Sequence, residues 1–326
     1  MSKSPHLPQW THIPLLSFCM LLMTISTASA GTITWNVTYN DVVNSTNVGF
    51  ADATFGATRQ ATFQAVLDYV GSVLDASGSV DFVVGNSQMD GSGFLASAGT
   101  YYFTTPARFD SGFLFQHANT GTDPIANKED AYATFDFGYN WNSDTGSVAA
   151  GEFDLFSVAL HEVAHALGFL SLVQANGTSA ISNGDPGVFS IYDSFLQRGN
   201  GTALFGTGGD FLGSAADLTS NDVFFSGTNA EAANGGNPVP VYAPSTFSAG
   251  SSIAHVDNGV TSVMNYSIAA NVEKRTFSAI DLGILQDIGW TLQTTSVPEP
   301  ASTGLLLAIT TGLLSARWRR KKSAED

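Results

Sequence analysis

The feature that most constrains this chain is the segment Val158–Phe169, in which His161 and His165 are four residues apart and Glu162 carries the sole charge. On an α-helix this spacing places both imidazoles on one face, about 6 Å apart along the axis. Two histidines on an otherwise apolar face are costly to bury without a ligand. Because neutral imidazoles are common Zn²⁺ ligands, the segment predicts a buried helix at a zinc site, with Glu162 beside the metal as a proton acceptor.

A catalytic zinc site needs a third protein ligand beside the two helical histidines, and one open position. If residues 1–30 are removed as a signal peptide, the remaining histidines outside the helix are His117 and His255. His117 follows a predicted strand, where a surface or hydrogen-bonded role is more common than metal binding. His255 is followed nine residues later by Met264, in the sequence Ser-Val-Met-Asn-Tyr of residues 262–266. The residues alone leave His117, His255 and a carboxylate open as the third ligand.

The helical segment and the later Ser-Val-Met-Asn-Tyr together resemble the metzincin zinc endopeptidases, in which a methionine turn lies beneath the metal. The resemblance covers most of residues 31–292. In compact metzincins a third histidine follows the glycine of the motif by three residues, but here that position is Ser171. Leishmanolysin-like members have an insertion at this point, and an insertion over Phe169–Ala254 implies that His255 is the third zinc ligand.

The resemblance also implies roles for residues around the metal. Met264 would support the site structurally, although ordinary core packing explains it as well. Tyr266 would ligate zinc or donate a hydrogen bond to the oxyanion, with a buried core tyrosine as the alternative. Asp257 is the nearest substitute for His255 as a ligand, and Asp193 is a weaker one. Glu162 would be the general base towards a zinc-bound water and would return the proton to the leaving amine.

Periodicity and turn residues predict a mixed sheet-and-helix fold of the α+β class, followed by a loop-rich half from residue 172. The metzincin resemblance implies that the sheet is a twisted mixed sheet carrying the active-site helix and that the loop-rich half is a C-terminal subdomain. The predicted strands are Thr32–Tyr39, Ser79–Val84, Tyr101–Thr105, Gly112–Gln116 and Tyr132–Tyr139. The predicted helices are Thr58–Leu74, Phe153–Phe169 and Ser278–Ile288, the last with a capping box at Ser278 and Asp281. Metzincins bind an extended peptide along an antiparallel edge strand, which we expect at Gly112–Gln116 or its neighbour.

The first thirty residues read as a secretory signal. Lys3 precedes an apolar run over Ile13–Ile25, and small residues at 28–30 place the cleavage before Gly31. The alternative is an uncleaved anchor helix. The segment therefore predicts that residues 31–296, the expected catalytic domain, are exported.

The last thirty residues, 297–326, are predicted to form a second targeting signal. Val-Pro-Glu-Pro at 297–300 is followed by an apolar run over Thr303–Ala316 and a basic end. This order resembles the PEP-CTERM tails that exosortases process in Gram-negative bacteria; a plain hydrophobic helix with a solvated basic end is the alternative. The resemblance implies an exosortase-type partner, transient inner-membrane anchoring through this helix alone, and delivery to the cell surface, the medium or an exopolysaccharide matrix.

Composition narrows the partners further. The chain has 12 Lys and Arg against 28 Asp and Glu, a formal net charge of −16, which disfavours nucleic-acid binding. The single cysteine, Cys19, lies in the predicted signal, so the expected mature chain contains no thiol for a disulfide, a zinc site or a nucleophile. The acidic segments Asn183–Asp185 and Asp123–Asp130 are potential structural Ca²⁺ sites, and solvated loops explain them equally well.

These observations predict a secreted or surface-tethered zinc metalloendopeptidase whose substrates are proteins or peptides. One alternative is a non-catalytic exopolysaccharide-matrix or adhesion protein that keeps a metzincin-like zinc site. Another is a zinc hydrolase with a non-peptide substrate. Glu162 favours the enzyme, because a structural zinc site has no use for a carboxylate at that position.

Overall fold

The computed structural model describes residues 32–104, 109–181 and 187–294. The predicted signal peptide, the predicted tail at 297–326 and the acidic turn Asn183–Asp185 lie outside the described residues. Within the described ranges, no helix combines the length and the apolar character that a membrane span requires. The C-terminal helix predicted for Thr303–Ala316 also falls outside them.

Long elements dominate the first half of the described chain, and short ones dominate the second. The strands are β1 (Thr34–Tyr39), β2 (Ser79–Val84), β3 (Ala96–Thr100), β4 (Phe109–Asp110), β5 (Ala131–Phe135), β6 (Trp141–Asn142), β7 (Phe153–Asp154), β8 (Phe189–Ser190), β9 (Leu196–Arg198), β10 (Val223–Phe225) and β11 (Val239–Pro240). The helices are α1 (Asn40–Val43), α2 (Gly56–Val73), α3 (Phe113–Thr120), α4 (Leu155–Ala166), α5 (Thr228–Ala233) and α6 (Ala279–Asp287), with short 3₁₀ turns at Gly49–Ala51, Tyr192–Phe195 and Asp217–Thr219.

The main sheet has four strands in the order β1-β2-β5-β3. The first three are parallel, and β3 pairs antiparallel with β5 at one edge. Alternate residues of β2, namely Val80, Phe82 and Val84, are fully buried, as the period of two in a strand requires for a sheet with one covered face. A mixed sheet with packed helices is compatible with the predicted α+β class.

Two helices cover the buried face. The ring of Phe63 in α2 contacts Phe82 of β2 and Phe135 of β5, with centroids 5.5 and 6.0 Å apart. Helix α4 packs against α2, β3 and β5. Every residue of α4 except His161 is buried, so the uncharged segment forms the buried helix predicted from sequence.

The second half confirms the predicted loop-rich character. Its largest packed unit is α5 against α6, where Gly283 is required because a Cβ there would lie 2.8 Å from the backbone of Ala230. A small antiparallel sheet, β11-β10-β9, lies in the same half. After α6, the indole Nε1 of Trp290 donates a hydrogen bond to the carbonyl of Leu167 at 2.8 Å, which ties this half to the end of α4.

The prediction of a strand at Gly112–Gln116 was wrong, because the segment begins α3. Gly112 has φ +84° and precedes the helix. The buried residues of α3 are Phe113, Leu114, His117 and Ala118, spaced as one helical face. Over so few residues, the apolar run Phe113–Phe115 fits a strand as well as a helix. This segment therefore cannot be the edge strand expected to bind substrate.

The prediction of a strand at Tyr101–Thr105 was also wrong, since β3 ends at Thr100 and residues 101–104 are not in a strand. Pairing with β5 rather than intrinsic preference makes Ala96–Thr100 a strand, because Ala, Ser and Gly are weak strand formers. Of the other predicted strands, those at Thr32–Tyr39 and Ser79–Val84 are confirmed as β1 and β2, while β5 ends at Phe135, four residues before the predicted Tyr139. The predicted helices are confirmed as α2, α4 and α6, with the capping box of α6 formed as expected.

Candidate metal centre

Helix α4 is fixed at both ends, and this determines where its histidines lie. At its start, Asp154 accepts hydrogen bonds from the backbone N–H and the hydroxyl of Ser157, and Arg275 pairs with the same carboxylate at 2.7 Å. Beyond its end, Gly168 has φ +96°, so the chain turns back on itself. The carbonyl of Phe169 then meets Nδ1 of His165 at 2.8 Å.

His255 reaches the same point from the irregular half of the chain. Its Nδ1 lies 2.7 Å from the carbonyl of Ser251, which fixes the ring. The next residue, Val256, donates its N–H to the carbonyl of Met264 at 2.8 Å. The segment that carries His255 and the turn that carries Met264 are thus joined through the backbone.

The three histidines selected from the sequence come together in the structure. Nε2 of His255 is 3.0 Å from Nε2 of His161 and 3.1 Å from Nε2 of His165. Each Nδ1 faces a backbone carbonyl, that of Val263 in the case of His161, and a carbonyl can only accept a hydrogen bond. The Nδ1 atoms therefore carry the protons, and three Nε2 lone pairs converge.

Converging lone pairs cannot hydrogen-bond to one another, but they suit a cation. Tetrahedral ligands at 2.0–2.1 Å from one ion lie about 3.3 Å apart, within a few tenths of an ångström of the observed separations. A backbone carbonyl on the second nitrogen is the usual way in which proteins orient a metal-binding imidazole. The three buried or half-buried histidines can therefore hold a metal ion.

The surroundings keep these imidazoles neutral. Burial, together with repulsion from His161, lowers the pKa of His255 to about 3. Burial also lowers the pKa of His161 and holds that of His165 well below its usual range. A neutral imidazole is the form that binds metal, so the electrostatics agree with the geometry.

Glu162 lies beside the three rings on the same cavity wall. The residue is 5% exposed, and its Oε2 has no hydrogen-bond partner among the described residues. Burial raises the pKa of this carboxyl to about 8, because the charged form loses its hydration. A buried carboxyl group without a structural partner calls for an explanation, and a role in proton transfer supplies one.

The turn that contains Met264 lies behind the histidines. The side chain of Met264 is fully buried, and its N–H is bonded to the hydroxyl of Ser262 at 2.8 Å. Tyr266, two residues on, is 39% exposed and lines the cavity. Its ring stacks on Tyr242, with centroids 3.7 Å apart and planes at 10°. The alternative of a buried core tyrosine is therefore wrong for Tyr266.

The turn is held by a residue to which sequence analysis gave another role. Asp281, the capping residue of α6, accepts hydrogen bonds from the hydroxyl of Ser262 and, at 3.0 Å, from the N–H of Val263. The carbonyl of Val263 in turn orients His161. The capping-box pattern identified Asp281, but nothing in the sequence indicated its second set of partners.

The alternative third ligands are engaged elsewhere. Asp257 accepts the N–H of Gly259 at 2.8 Å and stabilises a turn. Asp193 is fully buried and accepts hydrogen bonds from Ser171, Leu172 and Ser190. His117 pairs with Asp130 at 2.7 Å. Neither Asp257 nor Asp193 belongs to the group formed by the three converging histidines, and His117 belongs to a separate one.

The cavity in front of the histidines has a volume of about 730 Å³. One wall is the edge of the main sheet, from Gly93 to Ala98, which includes the start of β3. Among the described lining residues Glu162 is the one carboxylic acid and none is Lys or Arg, while Leu170, Leu172 and Phe247 contribute apolar surface. Sequence analysis missed this wall because it placed the edge strand elsewhere.

Comparison of the chain with models of known protein families, with curated proteins and with solved structures gave no match. Function therefore has to be inferred from the arrangement of the residues at the candidate site. That arrangement is a group of three imidazoles beside a buried carboxylate, at the wall of a cavity next to a sheet edge.

Proposed function

We propose that this chain is an exported, zinc-dependent endopeptidase of the metzincin type. The observation that carries the proposal is the convergence of the Nε2 atoms of His161, His165 and His255 beside the carboxylate of Glu162. Three protein ligands with a general base beside them are the composition of catalytic zinc sites.

The donor set favours zinc over the other common divalent cations. Neutral imidazole nitrogens suit Zn²⁺, while Ca²⁺ and Mg²⁺ prefer oxygen ligands. The ligand group consists of histidines, each with its second nitrogen on a carbonyl. Zinc bound there would supply a Lewis acid that polarises a scissile carbonyl and lowers the pKa of water.

Glu162 moves the protons in this proposal. Its carboxylate takes a proton from water while the water oxygen attacks the carbonyl carbon of the peptide. It then gives that proton to the amide nitrogen as the C–N bond breaks, so that one carboxylate and one amine leave the site. The unpartnered Oε2 supports this role, because no described hydrogen bond has to be broken first.

Tyr266 and Met264 have supporting roles. The Tyr266 ring stands at the cavity wall, where its hydroxyl can donate a hydrogen bond to the negative charge that develops on the carbonyl oxygen. Stacking on Tyr242 limits the directions in which that hydroxyl can point. Met264 is fully buried in the turn whose Val263 carbonyl faces His161, and in this proposal it takes no part in bond making.

The cavity wall indicates how substrate would bind. Strand β3 is at the edge of the sheet, and an edge strand offers unpaired N–H and C=O groups to an extended peptide. The apolar side chains of Leu170, Leu172 and Phe247 face the same cavity. We therefore expect cleavage next to neutral, apolar side chains rather than charged ones.

The two termini support export as part of the proposal. The resemblance of residues 1–30 to a signal peptide and of 297–326 to a PEP-CTERM tail gives the same orientation, with residues 31–296 outside the inner membrane. An exosortase-type enzyme would then be the partner that processes the tail. Fractionation of cells that express the full chain tests this, and a pool confined to the cytoplasm would contradict it.

The proposal is tested on the purified full-length chain by zinc content and by hydrolysis of casein or gelatin. Glu162→Gln preserves the shape of the side chain but removes the base, so we expect hydrolysis to fall about 10²–10⁴-fold while zinc remains bound. His255→Ala should lose hydrolysis and the zinc ion of this centre. Glu231→Gln on α5, which does not line the cavity, is the matched control and should change neither.

Each of the other outcomes has a definite meaning. Stoichiometric zinc without hydrolysis of any protein substrate would favour a non-catalytic matrix or adhesion protein. Full hydrolysis by Glu162→Gln would remove the proposed role of the carboxylate. Zinc retained at this centre by His255→Ala would move the third ligand elsewhere.

A further inference from the structure

A second group of metal-binding side chains lies outside the candidate active site. His117 is in the last turn of α3, Asp130 directly precedes β5, and Asp123 is in the loop between them. Each offers one ligand atom, and these atoms all lie within 4.8 Å of one another. None of the three residues lines the cavity of the histidine centre.

The carboxylate of Asp130 is the central member of the group. Its Oδ2 lies 2.7 Å from Nδ1 of His117 and accepts the N–H of Asp81 at 2.8 Å. Its Oδ1 has no hydrogen-bond partner among the described residues, although Asp130 is only 1% exposed. A buried carboxylate oxygen without a partner is costly, so this side of the group has room for a ligand that satisfies it.

Charge balance points the same way. The group brings the two carboxylates of Asp123 and Asp130 together beside a single imidazole. Lys128 is engaged elsewhere, since its Nζ lies 4.2 Å from the centroid of the Tyr101 ring. A divalent cation would neutralise both carboxylates and fill the free coordination of Asp130.

We propose that His117, Asp123 and Asp130 form a second divalent-cation site, structural in role and of zinc type. An imidazole with two carboxylates is a donor set that Zn²⁺ accepts, whereas Ca²⁺ takes six to eight oxygen ligands. From its sequence alone, the Asp123–Asp130 segment is a potential calcium loop with oxygen ligands. In the structure the imidazole of His117 from α3 lies in the same group, which favours zinc over calcium.

The site would fasten the loop of residues 121–130 to the main sheet. Asp130 already holds β2 through the N–H of Asp81, and its own carbonyl accepts hydrogen bonds from Thr100 and Tyr101 at the end of β3. A cation shared with Asp123 and His117 would add the loop and α3 to the same point. The second cation therefore acts on stability, and hydrolysis at the histidine centre does not depend on it.

The test counts zinc on the full-length chain after equilibration with Zn²⁺ and removal of the excess. We expect two zinc ions per chain in the wild type. Asp123→Asn should bind one, because the substitution removes the charge but keeps the side-chain oxygen that accepts the N–H of Ile125. His255→Ala should also bind one, and the double variant none. Asp144→Asn, another turn aspartate that caps a backbone N–H, is the matched control and should bind two.

Folding and metal identity are checked on the same variants. Without metal, Asp123→Asn should unfold at the wild-type temperature, and it should show a smaller zinc-induced rise in Tm. It should also keep wild-type hydrolysis when loaded. One zinc per wild-type chain, lost entirely in His255→Ala and unchanged in Asp123→Asn, would leave His117 and Asp130 as a plain buried ion pair and overturn the proposal. Millimolar Ca²⁺ that displaces the Asp123-dependent zinc would overturn its zinc character.

One zinc retained in His255→Ala but lost in Asp123→Asn would support the second site and contradict the first. The failure of either proposal is thus distinguishable from the failure of the other.

Discussion

The two halves of the molecule place metal-binding residues in different ways. The first half supplies two histidines from a single buried helix, α4, whose backbone hydrogen bonds fix their spacing. The second half supplies His255 from a segment without a helix or a continuous strand, where isolated backbone pairs set its position: the carbonyl of His255 accepts the N–H of Tyr242 at 2.9 Å, and Val256 forms single bridges to Val241 and Asn265. The comparison teaches that an irregular segment can position a ligand if isolated backbone pairs, together with side chains that accept backbone N–H groups, replace a regular ladder.

In the irregular half several of those side chains are aspartates. Asp193 accepts the N–H groups of Leu172 and Ser190, and Asp287 accepts those of Asn229 and Ala230. Asp281 does the same for the turn behind the histidines. Part of the strongly acidic composition is therefore structural, and the net charge of −16 is more than a surface property.

The largest expected effect comes from removing the metal. If zinc joins the two halves, a free zinc concentration 1,000 times its Kd should raise the free energy of unfolding by about 4 kcal/mol. Removal of the zinc with a chelator should abolish that increase. Hydrogen exchange should then increase most in residues 251–266, because α4 keeps its helical hydrogen bonds and its packing. Equal loss of protection in α4 and in residues 251–266 would break the comparison.

The next effect separates a carboxylate that orients a ligand from one that caps a helix. Asp281→Ala should lower zinc affinity about 10–100-fold, because it frees the turn whose carbonyl orients His161. Asp154→Ala removes the cap of α4 and its ion pair with Arg275, so it should cost at least the ~0.5–2 kcal/mol of a lost cap, with a smaller loss of zinc affinity than Asp281→Ala. Competition with a chromophoric chelator and thermal unfolding measure the two quantities. Equal losses of affinity would contradict the distinction, and Asp281→Asn serves if the alanine variant does not fold.

A smaller effect is expected at Met264, whose side chain fills space while its backbone carries the hydrogen bonds. Met264→Leu nearly conserves volume and should cost less than about 1.5 kcal/mol, with zinc and hydrolysis retained. Met264→Ala leaves a cavity and should cost about 2–5 kcal/mol. Urea unfolding of the three proteins measures the difference. Loss of zinc in Met264→Leu would show that the sulfur itself acts on the site.

The smallest effect concerns an ion pair of the irregular half. Arg198 holds the pKa of Asp217 below its usual range through a hydrogen bond at 2.7 Å, and Ser214 adds to this. A lowered pKa in the folded state means that the stabilisation is present above the unfolded value of about 3.9 and is lost as the pH falls below it. Asp217→Asn should therefore cost about 0.2–1 kcal/mol at pH 7 and less at pH 3. Unfolding by urea at both pH values checks this, and a pH-independent difference would refute it.

The elements that could be predicted are those whose pattern agrees with their burial. In α4, the apolar residues around His161 and His165 point to one buried helix, and the structure forms it. In β2, alternation matches the covered face of the sheet. The pairing of His161 with His165 follows from helical geometry alone, whereas His255 could be selected only through the resemblance around Met264.

The rest depends on contacts that a single segment does not encode. Strand β3 has the weak strand formers Ala, Ser and Gly and exists because β5 pairs with it. Gly112–Gln116 has a period that fits a strand and a helix over five residues, and packing decided for the helix. The second partners of Asp281 and the stacking of Tyr242 join residues far apart in sequence, so no local pattern reveals them.

The position of Asp281 in the chain sets an order of events. A polypeptide made or exported from its N-terminus presents α4 early, and its two histidines can be in place before the remainder arrives. The carbonyl of Val263, which orients His161, is fixed only when α6, the last helix described, has folded and Asp281 accepts the N–H of Val263. An incomplete chain would therefore hold the metal poorly, so the proposed enzyme would gain activity at the end of its synthesis, and premature hydrolysis by nascent chains would be avoided without any separate inhibitor.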